Sequence, residues 1–443
     1  MDQHPKVDNN SSSNVQLKKV KKTKNKNNRV AGYLLVAPSM ILIIAIAIWP
    51  VLQSFYFSLF DLRLNDPIRS ETHVGYSIDL ERYLNSYPFL VNAIDQEDKA
   101  IDKLKDTKKQ LQTVNEEILQ TKGIKANYDK VNDQLDNFEN VDTTVSIVEL
   151  DKEKALSIRQ QLTSITEHIK TLADQQLLAK DSKLLGLSSG LSESIIKPNF
   201  IGLKHYQDNF TDSRMWKAIA NTVVFTVISV GIELVIGLAI ALLINKAFIG
   251  RGIIRATILI PWAIPTAVSA LMWKFLYDGQ NGIVAKIFES VGLVDNMATL
   301  LTTNIGAFFS IIFTDVWKTT PYMALLLLAG LQTIPNTLYE AASIDGASKW
   351  KQFTSITLPL LKTSLMVALL FRTLDAFRVF DLIFVLTGGG PANSTETISV
   401  MAYKVMFSQT NFGDGSALSV IVFLCVALIS MIYIRILGKD LLN

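Results

Sequence analysis

One cysteine in 443 residues, Cys425, leaves no partner for an intramolecular disulfide and no Cys-based metal site. A phosphate loop of the form Gly-x-x-x-x-Gly-Lys-Ser/Thr is also missing. The sole Gly-Lys pair is Gly438-Lys439, followed by Asp440, so the chain has no such loop with which to hydrolyse nucleotide. Excess charge is small, at a formal +3, and the densest lysines stand beside an apolar run. That placement fits contact with anionic lipid, and nucleic acid is not expected as a partner.

Apolar residues are abundant. With 49% hydrophobic content beside 19% charged residues, the chain must be shared between lipid and water. Crossing the hydrocarbon core takes about 20 predominantly apolar residues. Runs that meet this lie near 32–58, 219–244, 256–277, 307–330, 362–386 and 415–437. The first is too long, and too far behind a polar tail, for a cleavable signal peptide, and no small-residue cleavage site follows it; it is expected to stay in the mature chain.

Lys18, Lys19, Lys21, Lys22, Lys24, Lys26 and Arg29 precede the first run, which by the positive-inside bias puts the N-terminus in the cytoplasm. Lys246, Arg251 and Arg255 follow the second run, Lys349, Lys351 and Lys362 the fourth, and Arg435 and Lys439 close the sixth. The intervening loops 278–306 and 387–414 hold only Lys286 and Lys404, so both termini are expected inside. The expected fold is an all-α membrane protein, a six-helix bundle with an extracytoplasmic coiled-coil insertion. Its parts are a basic tail (1–30), a first transmembrane helix (31–59), the insertion (60–215) and a membrane core (216–443) with an inner loop at 332–361.

Within the insertion, Ala155, Ile158, Leu162, Ile165, Ile169 and Leu172 alternate spacings of three and four, the seam of a coiled coil. Leu104, Leu111, Val114 and Ile118, then Ile124, Tyr128, Val131, Leu135 and Phe138 after Gly123, keep a similar rhythm. The arms are expected to fold back near 140–147 as an antiparallel hairpin, serving as a spacer, an inter-subunit strut or a docking element.

The stretch "EAASIDGASKWKQFTSITLPL", 340–360, lies in the inner loop. Ala341, Ala342 and Asp345 share a helical face with Leu338, and Gly346 permits the positive φ that ends a helix. A second short helix carries Trp350, Phe353 and Ile356, and Leu358-Pro359 is expected to interrupt it before the chain re-enters the membrane. Thr337 and Glu340 also fit a capping box.

Glu-Ala-Ala, three residues, Gly346, nine residues, Ile356, one residue, then Leu358-Pro359 resembles the signature loop of permease subunits in binding-protein-dependent ABC importers. "NFIGLKHYQDNF", "PWAIPTAVSALMWKFLYDGQNGIV" and "FRVFDLIFVLTGGGPANSTETISVMAYKVMF" resemble the carbohydrate branch, as in the maltose/maltodextrin permease family. The likeness covers the six runs but not the insertion's sequence. Some members carry a large external domain in the same place, and the sequence holds no counterpart of their two additional N-terminal spans. The resemblance implies a permease subunit in the bacterial cytoplasmic membrane that moves a sugar, an oligosaccharide such as maltodextrin. It implies an ATPase dimer holding ATP and Mg, a second homologous permease and an extracytoplasmic solute-binding protein. No cofactor is implied in this chain, and it is not itself an enzyme. Glu340, Ala341, Ala342, Asp345, Gly346, Ile356, Leu358 and Pro359 then form the loop that couples to the ATPase.

Ionisable groups inside apolar runs are costly and usually face a cavity or a partner. Glu233 lies in the second run, and Arg372, Asp375, Arg378 and Asp381 recur at three-residue steps in the fifth with alternating sign. Together with Phe377 and Phe380 these are candidates for a hydrated translocation path; an ion-pair ladder that holds the bundle together fits equally well. Trp262, Trp273 and Tyr322 are further aromatics able to stack on sugar rings or to anchor at the interface. An ion-coupled secondary sugar transporter, a permease for a non-sugar solute and a signalling receptor are the competing classes. The first would show inverted repeats and the last a cytoplasmic output domain, and neither is evident.

Overall fold

The computed structural model describes residues 26–97, 101–179, 181–246 and 249–441; Lys18, Lys19, Lys21, Lys22 and Lys24 lie outside the described residues. The chain divides into two units, Met1–Gln53 and Ser54–Asn443. The first ends within α2 (Trp49–Phe57), which α1 (Lys26–Ile43) reaches through a π-helical turn, Ile44–Ile48. Leu34, Leu35, Ile41 and Ile46 are exposed on this helix, which suits a lipid surround.

The second unit has separate hydrophobic cores. One belongs to the insertion. Its β1 (Tyr76–Asp79) is the centre of a three-stranded antiparallel sheet. Short helices α3 (Leu80–Leu84) and α4 (Tyr87–Asp95) follow, then the long α5 (Ile101–Leu119) and α6 (Ile124–Asp136). Strand β2 (Ile147–Leu150) leads to α7 (Lys152–Asp174), whose first turn is capped by Asp151. Helix α8 (Leu184–Ser192) and β3 (Ile195–Ile196) complete it, and Ile78 of β1 pairs with both Val148 and Ile195.

The expected seam residues Leu104, Leu111, Val114, Ile118, Ile158, Leu162, Ile165 and Ile169 are all buried. α5 and α7 run antiparallel, since Gln161 meets Glu117 while His168 meets Lys103. The expected isolated hairpin is not what forms. Ile78, Leu80, Tyr83, Leu90, Leu184, Leu191 and Ile195 close the same core, and Gly123, at φ +87°, turns α6 away toward α3. Phe138, expected in the seam, is exposed. The insertion is therefore a helical domain with a small sheet.

The second core is the membrane bundle. α9 (Ser213–Asn245) is the second span. The expected third span, 256–277, is not one helix but three: α10 (Arg251–Ile258), α11 (Ile260–Ala263) and α12 (Thr266–Leu276). Pro261 is tolerated in the first turn of α11, but Pro265 offers no N–H and holds Ile264 extended. α13 (Asn304–Leu331) is the fourth span and approaches α9 closely, because a Cβ on Gly237 would stand 2.8 Å from Met323 Cγ.

After α14 (Asn336–Ile344) and α15 (Lys349–Gln352), a π-helical turn, Phe353–Thr357, leads into α16 (Leu358–Phe377). The break expected at Leu358-Pro359 does not occur; the wide turn lies over carbonyls that Pro359 cannot reach, and the helix continues. The fifth span begins earlier than expected and ends at Phe377, with α17 (Asp381–Leu386) separate. α18 (Ile398–Tyr403) precedes the sixth span, α19 (Phe412–Leu441). Among the described residues, five helices are long and apolar enough to cross a membrane, and the broken third run accounts for the difference from six.

Candidate functional site

Charged groups converge inside the bundle. Glu233 of α9 is fully buried; its carboxylate accepts from Arg372 Nε at 2.5 Å, from Nη2 at 2.9 Å and from the Thr319 hydroxyl at 2.8 Å. Arg372 of α16 also donates to Asp315 of α13, and its Nη1 lies 3.5 Å from Asp375. Deep in a membrane bundle an unpaired charge is costly, so one guanidinium serving two buried acids and one exposed acid satisfies groups from three helices together.

Next to this cluster is a cavity of about 490 Å³ lined by the third-span break, by Asp315, Lys318 and Thr319, and by Arg372, Asp375, Arg378, Phe380 and Asp381. Of the expected path residues, Glu233 lies behind the wall, bound to Arg372, and Phe377 is buried away from the cavity. The expected ladder is realised only in part. Asp375 bridges Arg372 and Arg378, the latter at 3.6 Å, but Asp381 starts a separate helix and joins no ion pair among the described residues. Arg372 makes its closest pairs with other helices instead. Asp315 and Lys318 were not singled out from the sequence, although each is an ionisable residue within the apolar run 307–330 and meets the criterion that found Glu233.

Trp262 stacks on Tyr322 with ring centroids 5.5 Å apart, and Trp262 lines the cavity. Trp273 instead packs among Tyr277, Phe313 and Trp317. Aromatic side chains beside acids, bases and hydroxyls suit a solute with both C–H faces and many hydroxyls.

Outside the spans, Glu396 is buried, and its carboxylate accepts from Arg214 Nε at 2.8 Å and Lys404 Nζ at 2.9 Å. Burial alone would raise this carboxyl, but the bonds and charges from Arg214 and Lys404 outweigh it and hold the group below its usual value.

The 332–361 loop has a definite geometry. α14 starts at Asn336 with Pro335 at its N-cap, so Thr337 is already helical and the expected capping box with Glu340 is not formed. Gly346, at φ +76°, ends it: Gly346 N–H bonds Ser343 O at 3.1 Å and Ala347 N–H bonds Ala342 O at 2.8 Å, a Schellman closure. Gln352, buried, donates to Ser343 Oγ at 2.9 Å and Ala347 O at 3.2 Å, and Tyr339 meets Thr357 at 2.9 Å, so the two helices are tied together. Glu340, Ala341, Asp345, Gly346, Leu358 and Pro359 are exposed, Ala342 is half-buried, and Ile356 packs on the bundle core. Ile344 and Trp350 are 87% and 73% exposed, an apolar addition to that surface.

Residues 233–442 match the family described as binding-protein-dependent transport system inner membrane component. The trehalose/maltose transport system permease protein MalF of Thermococcus litoralis is 47% identical over 237 residues, 54% of this chain and 79% of that protein. The trehalose permease SugA of Mycobacterium tuberculosis is 44% identical over 54% of this chain and 75% of its own length. The sulfoquinovosyl glycerol permease SmoG of Agrobacterium fabrum is 40% identical over 57% and 80%. A solved bacterial ABC transporter for alginate import aligns over 54% of this chain and 84% of its own, at 22% identity and a TM-score of 0.49. The chain is a multi-pass membrane protein and belongs to the family of binding-protein-dependent transport system inner membrane components, the permeases of ABC importers.

Proposed function

We propose that this chain forms part of the membrane path for a sugar in an ATP-driven importer, and that the sugar is an oligosaccharide of the trehalose or maltodextrin class. The observation that carries the reading is the cavity of about 490 Å³ in the bundle, lined by acids, bases, threonine hydroxyls and aromatic side chains. Relatives named for trehalose and maltose support the substrate class. On this reading an extracytoplasmic binding protein delivers the sugar, a second permease completes the path, and an ATPase dimer holding ATP and Mg docks on the 332–361 loop. Both termini and that loop then face the cytoplasm of the bacterial cell, and the insertion faces outside.

The test is uptake of radiolabelled trehalose and maltotriose into proteoliposomes. The chain alone is expected neither to hydrolyse ATP nor to transport, and uptake should appear when the ATPase, second permease and binding protein are added. ATP turnover by the pure chain, or no uptake of either sugar by the complete assembly, would sink the proposal.

A further inference from the structure

The third span is broken where it faces the cavity. With Ile264 and Pro265 extended between α11 and α12, the carbonyls of Trp262 and Ile264 lose the N–H donors a continuous helix would give them. At membrane depth such groups must find another partner. Lys318 of α13 is that partner: its ammonium donates to Ile264 O at 2.5 Å and to Trp262 O at 3.4 Å. The lysine is buried, with only 6% of its surface exposed. The neighbouring cation, Arg372, is committed to Glu233 and Asp315, so the two positive groups have different tasks.

We propose that Lys318 is a positioning residue, a latch that ties the break in the third span to the fourth span and sets the width of the cavity between them. This rests on the transport-path reading above. The break forms one wall of the cavity, and Asp315, Lys318 and Thr319 form part of another. Movement of Ile264 away from Lys318 therefore changes the opening directly. Hydroxyl oxygens of a polyhydroxyl solute are acceptors of the same kind as the two carbonyls, so a bound sugar exchanges with the latch and frees the break to move.

Lys318→Met removes the donors at similar length, and Lys318→Arg keeps donors. With Cys425→Ser and spin labels at Ile260 and Phe275, both exposed and on either side of the break, pulsed electron resonance on the full chain in nanodiscs reads the latch without transport. The distance distribution should broaden in Lys318→Met and stay near parental in Lys318→Arg. Uptake of trehalose or maltotriose by the assembled transporter should fall about tenfold or more at saturation in the Met variant, the scale of one lost charge-assisted hydrogen bond, with the Arg variant recovering most of it. If Lys318→Met does not assemble, Pro265→Ala in that background should restore assembly. It lets the helix run through, so that Thr266 and Val268 N–H groups serve the two carbonyls.

An unchanged distribution in Lys318→Met, or no rescue by Pro265→Ala where assembly fails, overturns the latch. A broadened distribution in a transporter whose parental form moves neither sugar keeps the latch and overturns the transport reading.

Discussion

A guanidinium shared by buried carboxylates of two other helices cannot be removed without stranding charge. Arg372→Met should destabilise the detergent-solubilised bundle by about 3–5 kcal/mol, the usual cost of breaking a buried pair from one side. The combination Glu233→Gln, Asp315→Asn, Arg372→Met should recover part of that loss, because it leaves no orphaned charge. Thermal unfolding followed by tryptophan fluorescence would decide it, and a triple variant no more stable than the single one would refute the hub. Glu396 makes a second prediction, with a sign fixed by its lowered carboxyl. Its contribution is complete above the ordinary value of 4.5 and is lost as pH falls through the lower folded value. The melting deficit of Glu396→Gln should therefore be present at pH 7 and still at pH 5, then shrink as the medium becomes more acid. A deficit that stays constant down to the acid-unfolding limit would contradict it. Glu233 and Arg372 were legible in the sequence because ionisable groups stand out in apolar runs. Their pairing was not, since it depends on the rotation of three helices about their axes; the three-residue spacing along one helix gave the Arg372–Asp375 and Asp375–Arg378 contacts but not the closer pairs across helices.

Segments were easier to read than single pairings, and the errors occur at prolines and at caps. The insertion's apolar rhythm named most of its buried residues but also Phe138, which is exposed, and Ile78, Tyr83 and Leu191, which lie outside any heptad, fill the same core. A polypeptide of residues 76–196 should thus fold alone, with helical circular dichroism and a cooperative melt, whereas 94–182 should melt at lower temperature with a shallower transition. Equal melting of the two would show that the sheet and short helices add nothing. In the third run Pro261 and Pro265, four apart, were visible in "PWAIP", but length and hydropathy outweighed them in the expectation of one continuous span. The opposite error occurred at Pro359, where the sequence implied a break and the π-helical turn before it absorbed the missing N–H. The Schellman closure at Gly346 was anticipated, because few residues other than glycine adopt a positive φ at a helix end.

At the scale of the whole protein, the 332–361 loop should be separable from the bundle. Glu340 is exposed and its carboxylate makes no hydrogen bond or ion pair among the described residues, so Glu340→Ala should leave the isolated chain's melting temperature unchanged while lowering sugar uptake per ATP hydrolysed by the assembled transporter. Gly346→Ala meets open space but a strained backbone, and should cost the loop about 1–2 kcal/mol and weaken co-purification of the ATPase. Parental coupling and ATPase retention in both variants would leave the loop a simple connector.

The π-helical turn at Phe353–Thr357 bears on how force travels. Because the chain does not break there, Lys349–Phe377 is one rod of 29 residues. At 1.5 Å per residue, Arg372 lies roughly 35 Å along it from the loop end, so a tilt of about 10° about Arg372 swings that end by roughly 6 Å. If the loop docks a partner as proposed, that partner's motion is geared down: a large stroke at the loop arrives at the ion cluster as a small rotation of the rod. Stiffness of the turn would set how much of such a stroke survives the journey, and Ser355→Gly would make the rod compliant, so that more of the stroke bends the rod and less reaches the cluster.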